Sequence, residues 1–114
     1  MTARLVSLFS RPEDPAAFDR HYREIHTPIV LRYPRLREVR LAKVDPVGPR
    51  SAPFYLVAEM VFDSRADLDA ALASEPALES ARDLRNFAGA GVTLYAADDD
   101  GMEIVTPRTG GTDG

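Results

Sequence analysis

Pro53-Phe54-Tyr55-Leu56-Val57-Ala58-Glu59-Met60-Val61-Phe62 is the stretch that decides the fold. Successive side chains on a strand point to opposite faces. One face of this segment, Phe54, Leu56, Ala58, Met60 and Phe62, is wholly apolar, while on the other Tyr55, Val57 and Val61 surround a single charge, Glu59. A strand with two apolar faces belongs in the middle of a sheet, covered on both sides. A carboxylate in such a strand needs a partner, and the expected one is Arg40, on the strand before it.

That preceding strand, Leu36–Val44, alternates Val39 and Leu41 with Glu38 and Arg40, the period of a sheet with one wetter face. A turn-rich connector, Asp45–Ser51, joins the two into a hairpin. Further upstream, Phe18, Tyr22, Ile25 and Ile29 recur at spacings of four, three and four, an apolar stripe at about 100° per residue. Asp14 can cap this helix and Pro15 suits its first position. Pro28 disfavours helical geometry at Thr27, so the helix should kink or end there, leaving His26 at its end. The apolar run Arg4–Phe9 before it reads as a first strand.

Downstream, Ser64-x-x-Asp67 resembles a capping box, and Leu68, Ala71 and Leu72 continue at helical spacing. Ser74-Glu75-Pro76 restarts the helix, which runs with Leu78, Ala81 and Leu84 to Asn86. Gly89-Ala90-Gly91 breaks it, and Val92–Ala96 is a fourth strand. Asp98–Gly101 is a turn that should fold Met102–Val105 back as a short extra strand. The composition places one domain over residues 1–105 and a disordered tail over 106–114.

The order is β-α-β-β-α-β, hence an α+β fold of ferredoxin-like type: a four-stranded antiparallel sheet with two helices on one face. The face without helices is then left apolar along the Pro53–Phe62 strand, more than a monomer ordinarily exposes. A second copy packed sheet to sheet would cover it, so a homodimer is expected.

Bulk properties narrow the function. The 114 residues, 45% of them hydrophobic, suit a single domain. With no cysteine there is no disulfide, thiolate nucleophile or Cys-type metal site. No apolar run reaches the roughly 20 residues of a membrane helix, no secretory leader is evident, and a cytoplasmic protein is expected. Net charge is −4, and thirteen arginines and one lysine are scattered along the chain. Nucleic acid therefore has no basic stripe to bind.

Motifs for familiar chemistry are missing. His21 and His26, five apart, should point about 140° apart on a regular helix and so could not share a metal. No H-E-x-x-H, P-loop, dinucleotide fingerprint or G-x-S-x-G occurs. His26 lies about 60° from the centre of the apolar stripe, on the border of the buried face. There it either looks into a cleft as a proton carrier or simply caps carbonyls at the helix end. Tyr22, Phe87 and Tyr95 could line a pocket for a flat apolar ligand, or be core. Tyr55 and Glu59, four apart, should share one strand face.

The segments Phe18–Pro28 (F-D-R-H-Y-R-E-I-H-T-P), Pro53–Ser64 (P-F-Y-L-V-A-E-M-V-F-D-S) and Asp83–Thr93 (D-L-R-N-F-A-G-A-G-V-T) resemble the EthD family of dimeric α/β-barrel proteins. The similarity covers about residues 3 to 97, and Tyr22-x-x-x-His26-x-Pro28 is its most specific part. The resemblance implies a pocket between sheet and helices with His26 facing it. Relatives include cofactor-free monooxygenases, cyclases, isomerases and haem-degrading enzymes, so the fold leaves the reaction open. A chain without Trp, and without His on the second helix, fits the haem-degrading branch poorly.

The expected function is a cofactor-independent enzyme that acts by proton transfer on a hydrophobic aromatic or polyketide-like carbonyl compound. The reaction would be of cyclase, decarboxylase, isomerase or monooxygenase type. His26 is the expected catalytic acid or base, with Tyr22, Tyr55, Phe87 and Tyr95 binding substrate and no metal. The alternative is a non-catalytic dimeric binding or accessory protein, recognisable by a filled core and a His26 bonded to backbone carbonyls.

Overall fold

The computed structural model describes residues 2–48 and 53–108. Four antiparallel strands, β1 (Ala3–Ser10), β2 (Leu36–Lys43), β3 (Phe54–Phe62) and β4 (Val92–Asp98), form one sheet in the order β2-β3-β1-β4. The fold is α+β and ferredoxin-like. Its central strands are β1 and β3, and β2 and β4 lie at the edges. The distribution of charge follows: edge strand β2 carries Arg37, Glu38, Arg40 and Lys43, side chains that discourage further strand pairing.

One layer of helix begins with α1 (Pro15–His21), passes through a π-helical turn (Tyr22–His26) and ends in α2 (Thr27–Val30). The other is α3 (Arg65–Leu72) followed by α4 (Glu75–Phe87). Asp14 caps α1, its Oδ1 accepting from the Ala17 amide at 3.1 Å. Ser64 caps α3 by accepting from the Asp67 amide at 3.1 Å. Both satisfy first-turn amides that the helix itself leaves free.

The helices cover one sheet face. Ala3, Leu5 and Phe9 of β1 and Leu56, Ala58, Met60 and Phe62 of β3 are buried against them, with Leu68 and Ala71 of α3 fully enclosed. Burying a side chain the size of Phe62 or Leu68 contributes about 1.5–3 kcal/mol. A second cluster, Phe9, Phe18 and Tyr22, packs edge-to-face at 5.5 Å and meets Phe87 within 5.8 Å. It locks the start of the first helical layer to the end of α4.

On the opposite face Glu59 finds its expected partner. Arg40 lies across from it in the β2–β3 register, with Nη1 3.8 Å from its carboxylate. Arg4 approaches more closely, at 3.2 Å, and also bonds Asp99 at 3.0 Å. These groups sit on a face that also carries Val6, Leu8, Val57 and the buried Val61, and among the described residues no helix packs on it.

Three expectations need correction. The first helix neither ends nor breaks at Thr27-Pro28: Thr27 is helical (φ −56°, ψ −45°) and α2 continues to Val30. Just before the proline the helix widens into the π turn, where the Thr27 amide reaches back five residues to the Tyr22 carbonyl. This relieves the clash a proline ring ordinarily makes with the preceding turn. The extra strand at Met102–Val105 does not form. A short 3₁₀ turn, Asp99–Gly101, is followed by residues with no regular structure, in which Ile104 and Val105 are exposed. Of the expected disordered tail (106–114), residues 106–108 are exposed and without regular structure; the rest of it, from residue 109 onward, and residues 49–51 of the connector lie outside the described residues. Tyr55 and Glu59 also part company. The β1–β3 register shifts between Phe9 and Ser10, beside Tyr55. The Tyr55 ring turns toward α1, edge-on to Phe18 at 5.5 Å, while Glu59 stays among the arginines of the open face.

Candidate active site

The centre of the site is a carboxylate that the sequence did not single out. Asp83, buried in the middle of α4, accepts from His26 Nδ1 at 2.9 Å, from His21 Nε2 at 2.9 Å and from Asn86 Nδ2 at 3.0 Å. The two histidines converge because the helix between them is not α-helical. A turn closed by an i→i+5 bond brings residues five apart onto one face, which overturns the expected divergence of His21 and His26. The Thr27 hydroxyl donates to the Tyr22 carbonyl at 2.9 Å, adding a second bond to the one that closes this turn. Phe87 supports both rings, stacked on His21 and tilted against His26, each at 4.8 Å.

The electrostatics set the protonation states. Burial pulls the His26 pKa below the ordinary histidine value, although the bond to Asp83 works the other way. The ring is therefore neutral near pH 7. Burial pushes the Asp83 carboxyl up, but the bonds from Asn86, His21 and His26 outweigh it and hold the group below the usual carboxylate range. An ionised Asp83 accepts the Nδ1 proton, which leaves Nε2 of His26 as a lone-pair acceptor.

A cavity of about 390 Å³ opens between the helix-facing side of the sheet and α4. Its lining includes His26, Tyr22, Ser7 and Tyr33 beside apolar groups such as Leu5 and Leu84. His26 belongs to the wall, whereas Asp83, bonded to its Nδ1, does not. Tyr22 packs against His26 at 5.2 Å between ring centroids, and burial raises its phenol pKa far above the ordinary value, keeping it a proton donor. The Tyr33 hydroxyl is used within the protein, donating to Ser80, whose own hydroxyl bonds the Ala77 carbonyl at 3.0 Å. The outer side of the His21–Phe87 pair borders a wider groove of about 750 Å³ lined also by Glu13, Arg20 and Glu24.

The expected site residues thus separate. His26 and Tyr22 share the cavity. Phe87 acts from behind, as the surface on which both imidazoles rest. Tyr95 lies at the cavity margin, but its register partner is Val6 on the uncovered face, and it is 55% exposed. Tyr55 does not reach the cavity: its hydroxyl donates to Asp19 at 3.0 Å and its ring lies under Lys43, whose ammonium is also bonded to Asp19 at 3.0 Å. Among the described residues no group of three or more potential ligands could hold a metal ion, and no helix is long and apolar enough to cross a membrane. Asp83 carried a usable signal, an acidic residue on the apolar side of α4. Its partner was invisible because 57 positions separate it from His26.

A β-α-β-β-α-β chain folded into one four-stranded antiparallel sheet with its helices on one face defines the class: the ferredoxin-like α+β domains. Residues 10–91 match the EthD domain, and the chain belongs to the EthD family. It is 34% identical over 97 residues to an uncharacterized 11.0 kDa protein from the thcB–thcC intergenic region of Rhodococcus erythropolis, covering 85% of this chain and 94% of the relative. Among solved structures it is similar to an EthD family protein from Bacillus halodurans, with TM-score 0.78 and 32% identity over 86% of this chain and 98% of that one. The same fold, at lower identity, is that of a hydroxynitrile lyase from Passiflora edulis (TM-score 0.68, 17% identity, 93% and 97% coverage). It is also that of a cofactor-independent oxygenase from Streptomyces nogalater (TM-score 0.59, 18% identity, 95% of each chain).

Proposed function

We propose that this protein is a cofactor-independent enzyme that binds a small, hydrophobic, aromatic or polyketide-like carbonyl compound and transfers a proton at an activated carbon. The observation that carries this reading is the His26–Asp83 pair at 2.9 Å, with the ring on the wall of a cavity of about 390 Å³. Asp83 fixes the Nδ1–H tautomer and aims the ring. Nε2 takes a proton from the carbon next to the carbonyl, and the ionised Asp83 stabilises the imidazolium that forms. The proton is then returned to carbon or oxygen as the product requires. Tyr22, held protonated by burial, is the neighbouring donor for the oxygen that gains charge. A hydroxynitrile lyase and a cofactor-independent oxygenase on this fold are consistent with chemistry that the side chains perform without an organic cofactor.

His26 bonded to a carboxylate rather than to backbone carbonyls, beside an open cavity, favours catalysis over a purely binding role. The test is deuterium incorporation. Small aromatic ketones and β-diketones incubated with the protein in D₂O should exchange their activated C–H positions, followed by NMR, and His26→Gln should abolish the gain. Equal exchange by wild type and His26→Gln would overturn the assignment.

The functional unit in this reading is a homodimer formed through the uncovered sheet face, where Val6, Leu8, Val57 and Val61 surround the Arg4–Glu59–Arg40 ion pairs. Sedimentation at micromolar concentration should give twice the chain mass.

A further inference from the structure

We propose that Ser7 is the oxygen-binding residue of this cavity and that the ligand it holds is an uncharged carbonyl compound of one or two rings. The proposal rests on the cavity being the substrate site. In β1 the row facing the helices reads Ala3, Leu5, Ser7, Phe9, apolar except for this one hydroxyl. Ser7 is 3% exposed and, among the described residues, its hydroxyl has no hydrogen-bond partner. Alanine there would give the same packing without the cost of burying an unpaired polar group. Its position in the cavity wall supplies the explanation: the missing partner is the ligand.

The other polar groups of the wall are accounted for. Tyr33 and Ser80 bond to each other, and His26 Nδ1 is held by Asp83. That leaves, inside the cavity, Ser7 Oγ from the sheet and Tyr22 Oη and His26 Nε2 from the helix layer; the Tyr95 hydroxyl stands at the margin, on a side chain 55% exposed. Two hydroxyl donors beside one basic nitrogen suit a carbonyl oxygen with a proton on the adjacent carbon. Among the described residues no Lys, Arg, Asp or Glu lines the cavity, so a carboxylate, phosphate or ammonium would enter without a counter-charge and would lose its hydration uncompensated. A volume of about 390 Å³ lies at the small end of ligand sites, which sets the limit of one or two rings.

Three probes of one size separate these terms: acetophenone, ethylbenzene and benzoate, titrated near neutral pH and followed by amide chemical shifts. Acetophenone should bind most tightly, with shifts at Ser7, Tyr22 and His26, and benzoate should not bind in the cavity. Ser7→Ala should weaken acetophenone by about tenfold, the loss of one hydrogen bond, and leave ethylbenzene within about twofold. Ser7→Cys, which keeps the volume and weakens the donor, should fall between them. Benzoate binding as well as acetophenone, or an equal loss of ketone and hydrocarbon in Ser7→Ala, would overturn the proposal. Probe binding needs no turnover, so failure here is separable from failure of the proton-transfer reading, which the His26→Gln exchange experiment decides on its own.

Discussion

His26 Nδ1 lies 2.9 Å from Asp83 Oδ2, joining the π turn of the first helical layer to the middle of α4. The same carboxylate holds His21 through its other oxygen, so one buried charge orients two imidazoles that face different openings of the protein. Replacing it by the amide should separate geometry from charge. Asp83→Asn keeps the shape but can turn its NH₂ toward His26, reversing the tautomer and occupying the wrong nitrogen. Exchange or turnover through His26 should fall by about 10²- to 10⁴-fold, the usual worth of a positioned acid or base. ¹⁵N shifts of the His26 ring should report the change of tautomer.

Stability should decline toward acid, and the sign follows from the two groups. Because the folded protein depresses the His26 pKa, the unfolded chain binds a proton near about 6.5 that the folded one takes up only at lower pH. Stability from this group is complete above about pH 6.5 and falls as pH drops toward the folded value. Asp83, also depressed, contributes above about pH 4 and is lost below as it protonates. Urea midpoints measured between neutral and mildly acidic pH should decrease, and His26→Gln should flatten the upper part of that dependence.

Thr27 tests the widened turn. Thr27→Val removes the hydroxyl bond to the Tyr22 carbonyl while keeping size and branching, and should cost about 1 kcal/mol. Thr27→Ser, which keeps the hydroxyl, should be close to wild type. Denaturant titration of the two variants gives the difference.

A lysine in place of Val57 would put a charge in the middle of the uncovered sheet face. The variant should sediment as a folded monomer with an unchanged far-ultraviolet spectrum. A Val57→Lys protein of the same mass in solution as wild type would show that the copies meet elsewhere.

Leu68 has no exposed surface and packs beneath α3 against the central strands. Leu68→Ala should destabilise by about 2–5 kcal/mol through lost contact and the cavity left behind. The urea midpoint should move with little change in slope.

By itself the sequence determined the order of elements along the chain and the central place of the Pro53–Phe62 strand, because two-faced apolarity there and one-faced alternation at Leu36–Val44 follow from the two-residue period of extended chain. It also determined the helix starts, since Asp14-Pro15 and Ser64 act on amides only three residues away. The Glu59–Arg40 pair was legible because hairpin register is local. Tertiary structure decided what depends on distance in the chain or on departure from ideal geometry. The π turn, stabilised by Thr27 and by packing on Phe87, carried the helix through Pro28 and brought His21 and His26 to one side, where regular helical spacing had sent them apart. Asp83 became the keystone only when α4 packed against that turn. Ser7 gained meaning once its neighbours on the sheet and helices left a cavity above it. Periodicity tells which side of an element is buried; it does not tell which buried polar atoms meet, and at this site those meetings are the chemistry.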